Sequence, residues 1–292
     1  MGLLKMNCRI LIALLVLPLC LGGCIQLAPA DTSTDGGTRE DPFEDVTVVH
    51  YYQTAVYAYA TEVDEGVLTT GMSKTYLTLA NKSSVLGVDY TPETLVTLPS
   101  KWTTYSMKLE SRAANALTEM LEEMTAAGIE DASVTSAYRS YARQQELFER
   151  YREQEMKGFS TEAYAFLGYE YIYNNYLVNG KTGLSPTDAE RVVLSYSAAP
   201  GTSEHQTGLC VDFITAKMAG DLDVRFEESN AFAWLKENAY KFGFILRYPK
   251  GKESLTGYSY EPWHYRFVGR EAATDMYFAG LTLEEYLGAV EQ

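Results

Sequence analysis

Leu109, Ala113, Leu117, Met120, Leu121 and Met124 recur at three- and four-residue intervals, which gathers apolar side chains on one stripe of an α-helix, and Gly128 suits its C-terminal cap. Ala132–Ala137 is a short β-type run, followed from about Ser140 by a helix with Leu147, Phe148 and Tyr151 on one face. Residues 152–198 are less periodic, although Thr187–Val193 predicts a short helix. Beyond Gly208 the period changes to two, with Leu209, Val211 and Phe213 alternating as in a half-buried strand. Asn230–Phe242 is an amphipathic helix stopped by Gly243, Phe244–Tyr248 is a further strand, and Trp263, Tyr265 and Phe267 alternate in another before helical pieces close the chain. Helices mixed with short strands, without a regular βαβ rhythm, predict an α+β fold: a small antiparallel sheet flanked by helices.

The pattern upstream differs. Lys5 and Arg9 precede an apolar run of twelve residues, Ile10–Leu21, where a spanning helix needs about 20. Leu21-Gly22-Gly23-Cys24 resembles a bacterial lipobox, so residues 1–23 are expected to be a lipoprotein signal peptide and Cys24 the lipidated residue. A plain secretory signal with a chance cysteine is the other reading. Residues 24–45, rich in Asp, Thr, Gly and Pro, form a flexible tether. Residues 46–100 form an N-terminal arm with extended stretches at Val46–Tyr59, Lys74–Leu79 and Thr94–Leu98, and residues 101–292 form the main domain.

Composition narrows the partners. The 292 residues carry a formal charge of -15, and without the first 23 residues the balance is 22 basic against 39 acidic side chains. Such a surface repels phosphate backbones, which argues against nucleic acid. Cys8 and Cys20 leave with the signal and Cys24 takes lipid, so Cys210 stands alone and no intramolecular disulfide is expected. A monomer held extracytoplasmically at the cell membrane by its lipid is the expectation.

Three histidines occur in the whole chain: His50, His205 and His264. His205 lies in Ser203-Glu204-His205-Gln206-Thr207-Gly208-Leu209-Cys210-Val211-Asp212, and His264 closes Glu261-Pro262-Trp263-His264. Catalytic zinc takes three protein ligands and leaves a fourth position open. His205, Asp212 and His264 can supply them, with Gly208 permitting the turn between the first two. Hydrolysis also needs a base, and Glu261 is the candidate. In a regular strand Glu261 and His264 would point to opposite faces, but Pro262 lets the strand begin only after it, so Glu261 can swing towards the metal. Taken singly, each histidine reads more simply as a hydrogen-bonded structural residue; the two motifs together carry the specificity.

SxHxxGxAxD followed by ExxH resembles the zinc D-alanyl-D-alanine carboxypeptidases of the VanY type and their LD-carboxypeptidase relatives. Thr135-Ser136-Ala137-Tyr138-Arg139-Ser140-Tyr141-Ala142-Arg143-Gln144 is similar to that family's S-x-Y-R-S-x-x-x-Q stretch, and the likeness runs from about Leu98 to Leu287. The resemblance implies one zinc ion on His205, Asp212 and His264 in a cleft, with Glu261 as base. By motif position it makes Arg139, Gln144, Ser203 and Tyr248 substrate-binding residues. The implied activity removes the C-terminal D-alanine from peptidoglycan stem peptides. Arginine suits such a substrate because it grips a terminal carboxylate through two parallel hydrogen bonds.

Conversion of tetrapeptide to tripeptide stems by an LD-carboxypeptidase is the alternative. A catalytically silent metal module docking on the cell wall is another, though it would be expected to lose Glu261 or a ligand. Two departures from the family stand out. Cys210 replaces the usual Ala and, on a regular strand, shares a face with Asp212; it reads as a small buried residue or as a further thiolate ligand. The stretch Phe159–Thr187 is extra length that suits a lid or wall over the cleft.

Overall fold

In the computed structural model, which describes residues 50–70, 73–218 and 220–288, the alternating segments pair into two sheets. β1 (Leu95–Thr97) and β2 (Lys108–Glu110) form a ribbon. β3 (Ala132–Ser136), β4 (Cys210–Thr215), β5 (Phe244–Leu246) and β6 (His264–Phe267) form a four-stranded sheet in the order β3-β4-β6-β5. Every neighbouring pair is antiparallel. The expected α+β fold, a small antiparallel sheet among helices, is therefore present.

The longer helices are α2 (Ser111–Ala126), α3 (Tyr141–Lys157), α6 (Pro186–Tyr196), α7 (Asn230–Asn238) and α9 (Arg270–Ala279). Shorter ones are α1 (Glu65–Leu68), α4 (Thr161–Leu167), α5 (Tyr169–Asn175), α8 (Glu253–Thr256) and α10 (Leu283–Tyr286). Their starts follow from capping chemistry. The Glu110 carboxylate accepts from the Arg112 and Ala113 amides at the head of α2, and Ser140 accepts from Arg143 at the head of α3. α6 opens on Ser185 with Pro186 in its first turn, where a missing N–H costs nothing. Gly243, at φ +82°, turns the chain from α7 into β5 against Phe267, where a Cβ would meet the ring at 2.7 Å.

Register decides where the site lies. Asp212 pairs with His264, Val211 with Tyr265 and Cys210 with Arg266. Paired residues share a face, so Val211, Phe213, Tyr265 and Phe267 pack on the core with Leu117, Met120, Leu235 and Phe242. Fully burying each of these side chains contributes roughly 1.5–3 kcal/mol. The opposite face carries Cys210, Asp212, His264 and Arg266. All six residues of β4 are buried, which corrects the half-buried expectation. The second face is buried because charged side chains and the N-terminal segment cover most of it, leaving Asp212 and His264 at the floor of a cleft.

That segment is only in small part strand. Residues 46–49 lie outside the described residues, and the extended reading of Val46–Tyr59 is not met at 50–59, where the regular element is a 3-10 turn at Tyr51–Gln53. Lys74–Leu77 is another such turn, and only Leu95–Thr97 joins a ladder. The physical reason lies in the partners. The Tyr52 amide binds Asp275, the Ala60 and Thr61 amides bind Glu123, and the Thr70 amide binds Glu271. Helix carboxylates take the donors that a sheet edge would otherwise satisfy.

The segment then buttresses the loop that precedes β4. The Leu86 amide donates to Gly201 O (2.8 Å), Gln206 Nε2 donates to Gly87 O (2.8 Å), and the Glu110 amide donates to Gly208 O (2.8 Å). Gly208 sits at φ +66°, and a Cβ there would meet Pro92 at 2.9 Å. The loop is thus shaped from both sides.

The extra length 159–187 folds as α4, α5 and a 3-10 turn at Leu177–Asn179, around a core of Ala163, Ile172, Tyr176 and Leu184 shared with α6. It makes a wall. The proposed signal, Cys24 and the tether lie outside the described residues. No helix among the described residues is long and apolar enough to cross a membrane.

Candidate active site

His205 lies in a 3-10 turn, Glu204–Thr207, that ends at left-handed Gly208. Its Nδ1 donates to Ala137 O (2.7 Å), which fixes the tautomer and turns Nε2 towards Asp212 Oδ2 at 3.1 Å. His264 opens β6 and presents Nδ1 to Asp212 Oδ1 at 2.9 Å. The two imidazole rings stand 5.2 Å apart at 87°. Tetrahedral zinc with bonds of about 2.0–2.1 Å separates its donors by about 3.3 Å, close to these two nitrogen–oxygen distances. Asp212 Oδ1 is buried yet makes no well-directed hydrogen bond, as an oxygen reserved for a cation would.

Cys210 belongs to this floor. Its Sγ and one ring nitrogen from each histidine all lie within 4.8 Å of one another. Both the Asp212 carboxylate, 2.9 and 3.1 Å from the two rings, and the Cys210 thiol, in the place usually held by Ala, therefore stand within reach of an ion held by the two histidines.

The field in the pocket suits a cation. Burial alone would lower the His205 pKa, but Cys210 and Asp212 outweigh it and raise the ring to about 9. His264 is likewise driven well up, against burial, by Cys210 and by the Asp212 and Glu204 carboxylates close to its ring. Burial would raise the Cys210 thiol, yet the two histidines bring it down to about 7. Asp212 is held below the ordinary carboxylate range by both histidines in spite of its burial. The negative groups that raise both imidazoles in the metal-free pocket favour a divalent ion for the same reason.

Glu261 sits where Pro262 was expected to release it. Residues 261–263 form a turn closed by the His264 amide on Glu261 O (3.2 Å), and β6 starts only at His264. Glu261 Oε2 thereby comes within 3.7 Å of His264 Nδ1, with its side chain 21% exposed in the cleft. Burial raises its pKa to about 7; His264 and His205 oppose this, while Asp212 and Cys210 add to it. A carboxylate poised near neutrality can both take and return a proton.

The cleft has a volume of about 1400 Å³ and runs from the metal pocket along α3 to Phe159 and Glu162 of the wall. Arg139, Gln144, Ser203 and Tyr248 all line it. The Arg139 amide donates to His205 O (3.0 Å), so the arginine is tied to the ligand loop, and its buried Nε has no partner. It makes no ion pair among the described residues, unlike an arginine placed for surface pairing. Gln144 Nε2 donates to Ala198 O (2.6 Å) and leaves a buried Oε1 free. Ser203 is buried at the start of the turn, and the Tyr248 ring packs 4.9 Å from the His264 ring. All eight residues expected at the site within the described region thus meet in one cleft.

A further group had no place in the sequence reading. Glu204 Oε1 accepts from Arg247 Nε (2.8 Å) and Arg266 Nη1 (2.7 Å), and Glu284 accepts from Arg247 Nη1 (2.8 Å) and Nη2 (2.5 Å). Arg266 Nη2 also donates to Tyr76 O and Thr78 O, at 3.0 and 2.7 Å. The arginines hold the Glu204 carboxylate well below its ordinary pKa, although burial alone would raise it.

Two imidazoles and a carboxylate beside a glutamate of raised pKa form the equipment of metal-assisted hydrolysis. Residues 106–270 match the VanY family, described as D-alanyl-D-alanine carboxypeptidase. The Bacillus subtilis carboxypeptidase-like protein YodJ is 35% identical over 233 residues, 78% of this chain and 72% of that one. Among solved structures, the LD-carboxypeptidase LdcB aligns with a TM-score of 0.58 and 31% identity over 80% of this chain and 95% of its own. VanY from the VanB-type resistance cassette, a D,D-pentapeptidase solved with Zn(II), aligns at 0.54 and 32% identity over 73% and 99%. The chain belongs to the VanY family. It is a metallo-carboxypeptidase.

Proposed function

We propose that this chain removes the C-terminal D-alanine from D-alanyl-D-alanine-terminated peptidoglycan stem peptides, with His205, Asp212 and His264 holding one zinc ion. The observation that carries the reading is Glu261 Oε2 beside His264 Nδ1, 3.7 Å away, in a cleft that also presents the unpaired Arg139. The zinc ion, when bound, supplies Lewis acidity towards the scissile carbonyl and acidifies water. Glu261 accepts the proton of the attacking water and returns it to the leaving amine. Arg139 grips the terminal carboxylate. Gln144 Oε1 accepts a substrate N–H, while Ser203 and Tyr248 line the bound peptide. The silent-module alternative would be expected to lose the proposed base or a proposed ligand, and Glu261, His205, Asp212 and His264 are all retained.

A second reading is favoured by the LdcB likeness: cleavage of the bond between an L-centre and D-alanine in tetrapeptide stems. Both substrates end in D-alanine, so Arg139 serves either. Mass spectrometry of synthetic stems separates them. Pentapeptide should lose D-alanine, and Arg139→Ala should raise KM or abolish turnover. Conversion of tetrapeptide to tripeptide with pentapeptide untouched would replace the D,D reading with the L,D one.

The same reading places a monomeric enzyme outside the cell, anchored through lipid on Cys24. Cys24→Ala should move the protein from the membrane to the soluble fraction with its specific activity intact. Retention on membranes after a high-salt wash would count against the anchor.

A further inference from the structure

His264 offers Nδ1 to Asp212 and Glu261. An imidazole that donates the Nδ1 lone pair to a metal must carry its proton on Nε2, and in a buried pocket that N–H requires an acceptor. His264 Nε2 is buried and has no hydrogen-bond partner, and the same is true of Glu204 Oε2. The two atoms lie 3.5 Å apart, so a shift of a few tenths of an ångström closes the bond.

We propose that Glu204 is a positioning residue: its carboxylate accepts a hydrogen bond from His264 Nε2–H and so aims the opposite nitrogen at the zinc ion. Glu204 itself is immobilised. Oε1 is gripped by two guanidinium groups from different elements, Arg266 two residues beyond His264 on β6 and Arg247 just after β5. Rotation that withdrew Oε2 from the imidazole would break both bonds. Arg247 is anchored in turn by Glu284 of α10, and Arg266 by the carbonyls of Tyr76 and Thr78. Two carboxylates balance two guanidiniums, so the buried cluster is neutral before the histidine is counted. His205 is oriented by a different device, the Ala137 carbonyl on its Nδ1. Each ligand ring therefore has its own acceptor on the side away from Asp212.

The proposal rests on the zinc reading above. Glu204 would also matter if it did nothing except neutralise arginines, and Glu284 supplies the control, because it pairs with the same Arg247 without facing His264. Zinc affinity is measured by chelator competition on wild type, Glu204→Gln and Glu284→Gln. Glu204→Gln should bind zinc about 10- to 100-fold more weakly. Glu284→Gln should lower the melting temperature yet keep the wild-type affinity. In ¹⁵N-histidine spectra of the zinc-loaded protein, a slowly exchanging His264 Nε2–H should be present in wild type and Glu284→Gln and absent from Glu204→Gln. If Glu204→Gln does not fold, Glu204→Asp keeps the charge but shortens the reach, and should show the same weakened affinity. Equal zinc affinity in wild type and the Glu204 variant, or an equal loss in the Glu284 variant, would overturn the proposal. Wild-type protein that takes up no zinc would overturn the zinc reading as well.

Discussion

Glu261→Gln should retain zinc and fold and lose turnover by about 10²–10⁴-fold, the usual cost of deleting a general base. The amide keeps the shape and fits the same turn, whose closing bond is made by backbone atoms, His264 N to Glu261 O. It cannot accept the proton of water. Stability should not fall with the charge. The Glu261 pKa rises from 4.5 to about 7 on folding, chiefly through burial, so the metal-free protein is penalised for ionising it as pH climbs through that interval. The neutral amide carries no such penalty. Near wild-type kcat in the variant, measured as D-alanine release, would place the base elsewhere.

His264→Ala should take zinc content from about one equivalent to near zero and abolish activity with it. The loss goes beyond one donor. Asp212 Oδ1 and Oδ2 now face the two imidazoles at 2.9 and 3.1 Å, and without His264 the carboxylate keeps only His205 opposite it. The change also leaves a hole beside Tyr248 and strands Glu204 Oε2. Metal analysis of the purified variant decides the matter, and retention of full zinc would sink the assignment of His264 as a ligand.

Much of this site was legible because its determinants are local. Gly208 between His205 and Asp212, Pro262 after Glu261, and Ser140 at the head of α3 each constrain backbone within a few residues, and each does so in the structure as expected. Period-two alternation found β4 and β6, but it could not reveal that the second face of β4 is buried. What covers that face comes from far away in sequence. Arg247 and Arg266 reach Glu204 across 43 and 62 residues. For the same reason Glu204, an acid inside a motif written as variable, gave no local sign of its partners. The arm misled for a related reason: its β-type composition met helix carboxylates in place of a free sheet edge. The wall was visible only as surplus length.

The arm also sets an order of events. Its partners lie at the other end of the chain: His50 and Tyr52 on Asp275, 225 and 223 residues away, and Asn81 on Glu284, 203 away. A chain made from its N-terminus exposes the arm first and supplies its docking sites last. Closing loops of that size carries an entropic cost that rises with length, and such distant contacts are slow to form. Until they form, Arg266 lacks two carbonyl acceptors and the Gly201–Gly208 loop lacks its outer brace. The pocket of His205, Asp212 and His264 is therefore expected to be completed late in folding, when the first and last parts of the chain have met.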